Sequence, residues 1–259
     1  MCYFKSELVK LKNVKLVWWM SIASILICIF LFIQYTLNTS SGLIEPALKY
    51  PVNNATFFLA FFSTLLANFW AIVIGSYIGA SEYRDGTITL YIQNNGRYYG
   101  IIAKIAVFLL ITIIQICIIF LFGFIISGVF FGFQIETLEF GRICLQLLLA
   151  ALATFTLGIM GMTIGKLFKN AMVSNVMCLA IIFGLSAFPG IVGKYSWYLN
   201  PFSYLSSSFK MVYSNIVKLT NFQIADSGSI SPEFGITCVI FINIVLIIIQ
   251  LLSNRYEQY

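Results

Sequence analysis

Histidine is absent from all 259 residues, and that omission removes much of the chemistry a chain can carry. No histidine-held zinc or haem and no serine–histidine or cysteine–histidine dyad can be assembled from this sequence. Charge is nearly as scarce: Asp, Glu, Lys and Arg make up 9% of the positions, against roughly 25% in a soluble domain. The six cysteines form no C-x-x-C pair, and all but Cys2 fall inside apolar runs. They read as small packing residues, with no disulfide framework. No G-x-x-x-x-G-K-[ST] phosphate loop occurs, so no nucleotide site is readable in the chain. None of the nine acids lies within an apolar run, which argues against the mid-membrane carboxylate of a proton- or sodium-coupled carrier. An arginine-rich segment of the voltage-sensor kind is missing as well. No catalytic residue, metal site or cofactor is expected.

What remains is apolar. Hydrophobic residues occupy 60% of the chain and the mean hydropathy is +0.95, too little polar surface to cover a globule in water. In lipid each backbone N–H and C=O needs an internal partner, which leaves helices or closed barrels. Barrel strands alternate apolar with polar residues, and the continuous run from Ile101 to Phe122 does not. The expected fold is an all-α membrane protein. Six spans are placed at Leu16–Leu37, Ala55–Ala80, Ile101–Ser127, Ile143–Ile164, Met172–Gly190 and Gly235–Leu252, each near the ~20 residues that cross a bilayer core. The third run stays apolar to Phe133, so its end is expected to tilt or leave the axis. The first run exceeds a signal-peptide core and is kept as a span. Residues 1–15 combine Tyr3, Phe4, Leu8, Val9 and Leu11 with four lysines, the composition of an amphipathic helix lying at the inner interface. The whole of 1–259 reads as one transmembrane domain, with an inner loop at 81–100 and a long semi-apolar outer loop at 191–234.

Orientation follows from the basic residues. With the N-terminus inside, inner segments hold ten of the 15 Lys and Arg and four of the nine acids. Outer segments hold five of each, so the net charge of +6 lies on the inner side, as expected for a face against anionic lipid. Both termini are then cytoplasmic.

With no energy source of its own, a transporting chain would need a partner ATPase, and the inner loops are where one would dock. The loop after the second span runs Glu82-Tyr83-Arg84-Asp85-Gly86-Thr87 and onward to Asn94-Asn95-Gly96-Arg97. Asp85-Gly86 is a turn dipeptide, Thr87 can cap a short helix, and Asn94-Asn95-Gly96 can end it. The alternative is an ordinary solvated connection.

The pattern E-x-x-x-G-T followed by Arg97 and Lys104 resembles the inner loop of type 2 ATP-binding cassette (ABC) exporter permeases. The opening Lys5-Ser6-Glu7-Leu8-Val9-Lys10-Leu11-Lys12, running into Trp18-Trp19, is similar to the start of family members that protect Gram-positive bacteria against lantibiotics. Asn200-Pro201-Phe202-Ser203-Tyr204 after the fifth span also fits, as does the six-span plan. The resemblance implies a permease of the bacterial plasma membrane without its own ATPase site. It would pair with a second permease, identical or sibling, and sit on two cytoplasmic ABC ATPase subunits. It also implies that residues 1–15 form an elbow helix, that Glu82, Arg84, Asp85, Gly86, Thr87 and Arg97 belong to a coupling helix, and that an amphipathic antibacterial compound is the substrate. No nucleic-acid partner is expected.

Small and polar residues inside the spans are the remaining candidates. Gly-xxx-Gly spacing occurs at Gly75–Gly79, Gly128–Gly132 and Gly161–Gly165, and is read as close helix approach within one subunit, with a subunit interface as the alternative. The span amides Gln34, Asn68, Gln115, Gln146, Asn175, Asn243 and Gln250 should serve as interhelical hydrogen bonds. A sharper reading puts Asn68 and Asn175 on a translocation path, because the family's second and fifth spans line it. Lys104 is expected to snorkel. The rival functions are an ATPase-independent channel, which would need a polar pore lining, an immunity protein that binds its target without pumping, and a membrane enzyme, which lacks any nucleophile–base pair.

Overall fold

The computed structural model describes residues 2–41, 50–62, 66–84, 97–133, 140–187 and 232–256. Among these, every regular element is a helix: α1 (Cys2–Asn13), α2 (Lys15–Ser40), α3 (Pro51–Phe62), α4 (Asn68–Arg84), α5 (Arg97–Phe131), α6 (Phe140–Phe168), α7 (Ala171–Ala187) and α8 (Pro232–Tyr256). Three apolar stretches are long enough to cross a membrane: Val17–Asn38 in α2, Tyr99–Phe131 in α5 and Ile143–Phe168 in α6. They coincide with the first, third and fourth expected spans. The expected fifth and sixth fall on α7 and α8, whose apolar stretches Ala171–Ile181 and Ile236–Leu252 are shorter. The second, read from sequence as one helix over Ala55–Ala80, falls on α3 and α4, with Leu66 and Ala67 in a wider π-type turn just ahead of α4; residues 63–65 lie outside the described residues. The outer segment with Asn200-Pro201-Phe202-Ser203-Tyr204 lies outside the described residues.

α6 is the central helix. Of its apolar window 61% is buried, against 22% for α2, and it packs against α3, α4, α5, α7 and α8. Threonines enter this interior by returning their hydroxyls to their own helix: Thr112 Oγ1 donates to Phe108 O at 2.9 Å, Thr156 to Leu152 O at 2.8 Å and Thr163 to Ile159 O at 2.8 Å. A buried hydroxyl thereby avoids the cost of an unmade bond.

Cross-helix pairs set the helix directions. Asn243 Nδ2 donates to Thr156 Oγ1 at 2.9 Å and Gln250 Nε2 to Thr163 Oγ1 at 3.0 Å. The two pairs are seven residues apart on both helices, so α8 runs parallel to α6. Gly75 meets Gly158 and Gly79 meets Met162, so α4 is parallel to α6 as well. On the other flank Gln115 Nε2 donates to Ser24 Oγ at 2.7 Å, and Phe32 lies beside Gly123, so α2 runs parallel to α5. The starts of α2, α5 and α7 and the ends of α4, α6 and α8 therefore share one side of the bundle, the side to which the lysine and arginine count assigns the cytoplasm.

α5 has 35 residues and, at 1.5 Å per residue, is about 52 Å long, well beyond a ~30 Å hydrocarbon core. Its outer end is closed by Gly132, whose φ is 83° and whose N–H donates to Gly128 O at 2.8 Å. This is a left-handed helix cap. Phe133 then folds back over the bare backbone of Gly128, with its ring 5.8 Å from that of Phe124. Gly128 and Gly132, expected to serve helix–helix approach, instead end a helix.

α1 lies against the inner part of α5. Its residues at four-residue spacing face the bundle: Tyr3 stacks on Tyr99 at 6.0 Å, while Glu7 and Leu11 are buried. Glu7 accepts a 2.8 Å bond from Lys10 Nζ. The adjoining stripe, with Phe4 and Leu8, is exposed. Trp18 Nε1 donates to Lys12 O at 3.0 Å across the bend, which holds the elbow between α1 and α2.

Candidate functional site

Of the residues singled out for coupling, three stand at helix ends on one side of the bundle. Glu82 and Arg84 belong to the last turn of α4 and Arg97 opens α5. Asp85, Gly86 and Thr87, with the rest of the loop through Gly96, lie outside the described residues. What the structure defines is the foundation of that loop.

α4 is joined to α6 with almost no side chain between them. A Cβ added at Gly75 would collide with the Gly158 carbonyl, and one at Gly79 with the Met162 carbonyl. From the other side, a Cβ at Gly161 would lie 2.7 Å from Ile72 O and one at Gly165 2.5 Å from Ser76 O. Without a hydrophobic force between helices in lipid, such backbone contact supplies the attraction through dispersion. The expected glycine pairs on these two helices therefore meet each other, within one subunit. The third member is α7: Ser76 and Ser174 share a 2.8 Å hydrogen bond, and Ser174 Oγ donates onward to Gly161 O at 3.1 Å. Toward the middle of the bundle α4 is fixed again by Trp70. Its indole stacks on Phe108 at 5.8 Å and its Nε1 donates to Ser21 Oγ at 2.9 Å. The arrangement makes α4 a strut fixed at several depths, with residues 85–96 following its last turn.

A second feature sits beside that end. Tyr83, in the last turn of α4, has Lys169 Nζ 5.0 Å from its ring centroid. Lys169 occupies the turn between α6 and α7 with φ 53°, the left-handed conformation, which costs a residue with a Cβ roughly 1–2 kcal/mol. Asn170 follows and caps α7, its Oδ1 accepting from Met172 N at 2.9 Å and from Val173 N at 3.4 Å.

The two amides assigned to a path are not brought together. Asn68 opens α4 and is fully buried. Asn175 adjoins Ser174 on α7, at the level of Ser76, and is half-buried with its Oδ1 unpartnered. Asn68 and Ser76 are eight residues apart on α4, so the two amides differ in depth by about 12 Å at 1.5 Å per residue. Of the other amides, Gln115, Asn243 and Gln250 bridge helices as expected. Lys104 does not snorkel: it is enclosed by protein at 7% exposure. Lys166 is equally enclosed, its Nζ donating to Gln250 O at 3.4 Å. Sequence reasoning missed Ser76, Ser174, Tyr83 and Lys169. The serine at Gly75-Ser76 inside a glycine pair was the one available signal, since small residues mark close helix contacts.

No group of three or more His, Cys, Asp or Glu able to hold a metal occurs among the described residues. No curated protein matches the sequence. Residues 3–186 match the sequence profile of a family described as ABC-2 family transporter protein. That match runs from α1 nearly to the end of α7 and takes in the glycine seam, the strut and both ends of the inner loop; the chain belongs to the ABC-2 family of transporter membrane proteins.

Proposed function

We propose that the chain is the membrane-spanning permease of an ATP-driven exporter. Two copies, or this chain and a sibling, sit on two cytoplasmic ABC ATPase subunits, and ATP is hydrolysed in those partners. The family match over residues 3–186 carries this reading. The geometry supports its mechanical part. ATPase subunits can move spans only through a stiff inward element, and α4, keyed into α6 by Gly75 and Gly79, ends in Glu82 and Arg84 at the start of the 85–96 loop. Asp85, Gly86, Thr87 and Arg97 complete the proposed coupling element. In this reading α3 with α4 counts as one crossing, α7 and α8 as two more, both termini face the cytoplasm, and the exposed stripe of α1 lies on the inner leaflet of a bacterial plasma membrane. The cargo class is a lantibiotic or other amphipathic antibacterial compound taken from the membrane. Of the two amides proposed for a path, Asn175 is the one only half-buried, whereas Asn68 is fully buried.

The test is affinity purification of the chain from its host in mild detergent, with mass spectrometry of what accompanies it. A stoichiometric ABC ATPase is expected, and Glu82→Arg should reduce its recovery at least tenfold while leaving the permease in the membrane. A chain that purifies intact and alone would overturn the permease reading in favour of a channel or a target-binding immunity protein.

A further inference from the structure

Lys169 is the sole residue other than glycine with a positive φ among the described residues. A helix ending in this conformation ordinarily takes glycine, which has no Cβ to strain. A residue held in a sparsely populated backbone region points to something its side chain does, and here the side chain extends to α4, with Nζ 5.0 Å from the Tyr83 ring centroid. The residue that follows, Asn170, caps α7. One short turn thus ends α6, starts α7 and grips the last turn of α4, two residues before Asp85.

We infer that Lys169 is a positioning residue, which ties the base of the coupling loop to the start of α7 so that displacement of the loop is delivered to that helix. This inference rests on the coupling reading proposed above. The direction of transmission follows from the neighbouring ties. Farther into the bundle α4 and α7 are joined again by the buried Ser76–Ser174 bond of 2.8 Å. Two attachments at different depths let a tilt of α4 become a tilt of α7, whereas a single pivot would let α7 lag. The attachment beside the loop is a cation over an aromatic face, which needs the ammonium only within about 6 Å of the ring centroid and no fixed hydrogen-bond geometry. It can therefore stay engaged through a small movement.

The experiment uses the purified complex with its ATPase and follows hydrogen–deuterium exchange at 171–187 and at 82–97, with and without ATP plus vanadate. In the native complex both segments should respond to trapped nucleotide. Lys169→Gly relieves the strained backbone, so the thermal midpoint should hold or rise, yet the response at 171–187 should fall at least twofold while that at 82–97 persists. Tyr83→Leu should do the same, the double variant should be no worse than either single one, and Lys169→Arg and Tyr83→Phe should retain the response. An undiminished response at 171–187 in both Lys169→Gly and Tyr83→Leu would overturn the link. A lowered thermal midpoint in Lys169→Gly would overturn it too, by making the lysine a structural cap. Absence of an ATPase from the native preparation would instead remove the coupling reading itself.

Discussion

Where α4 meets α6 and α7 the contact is made by Gly75, Gly79, Gly161, Gly165, Ser76 and Ser174, backbone against backbone. Where α2, α3 and α5 meet, it is made by rings and branched chains: Phe32, Phe58, Phe62, Ile116 and Ile119 are all buried there, with Phe32 and Phe58 edge to face at 4.7 Å. Unpartnered buried polar atoms occur in both regions, Thr154 Oγ1 on α6 and Asn175 Oδ1 on α7 among them. Ser76 and Ser174 at the seam are both bonded. Beside the ring cluster Asn54 is fully buried with neither Nδ2 nor Oδ1 partnered, and Ser127 Oγ is also unpartnered. A seam of carbonyls against glycines has few rotatable atoms with which to relieve a collision, the hydroxyls of Ser76 and Ser174 being the ones at hand. A ring cluster can repack by turning side chains. The molecule thus places its stiff contact under the inner loop and its adaptable contact in the α2–α3–α5 half, a division that suits a permease driven from one face.

The severest way to break this contrast is to put side chain into the seam. Gly79→Leu would force the α4 and α6 backbones apart; overpacking of this kind costs about 3 kcal/mol or more when backbone must move. The expected outcome is loss of monodisperse protein in detergent, read by size-exclusion chromatography after expression at unchanged membrane level. Phe58→Leu tests the other half. A nearly volume-conserving swap among adaptable side chains should cost less than about 1.5 kcal/mol, so a thermal midpoint within a few degrees of the native protein is expected. A collapse as complete as that of Gly79→Leu would show both halves to be equally rigid. The smallest effect should come from Asn54→Leu, which replaces an orphaned amide by an apolar side chain of the same branched shape. An unpaired buried polar group carries a penalty of about 1–3 kcal/mol, so this variant should match or exceed the native thermal midpoint. Marked destabilisation would mean that Asn54 is satisfied in the folded protein and that the cluster is as well bonded as the seam.

Legibility in the sequence followed the range of the interaction. The apolar runs of α2, α5 and α6 were readable to within a few residues, because hydropathy is a property of consecutive positions. The glycine pairs of α4 and α6 were visible as pairs, but that they face each other while Gly128 and Gly132 cap α5 was not. Both kinds of pair have the same spacing. The residues proposed for coupling were selected by motif; the surroundings that the structure adds are the helix that bears Glu82, the glycines that key it into α6, and a lysine on a distant turn that reaches Tyr83.

Composition and order alone pointed to a helical membrane chain with no histidine chemistry, no phosphate loop and basic residues concentrated in alternate loops, since each is a sum or a short pattern along the chain. Only the tertiary structure decided that Lys104 and Lys166 are enclosed, that Asn243 and Gln250 lock α8 to α6 and that Lys169 lies on Tyr83. These depend on the register and rotation of helices far apart in sequence. In lipid, where every face of a helix can be apolar, that register is set by steric fit and scattered hydrogen bonds, which leave no periodic mark in the hydropathy.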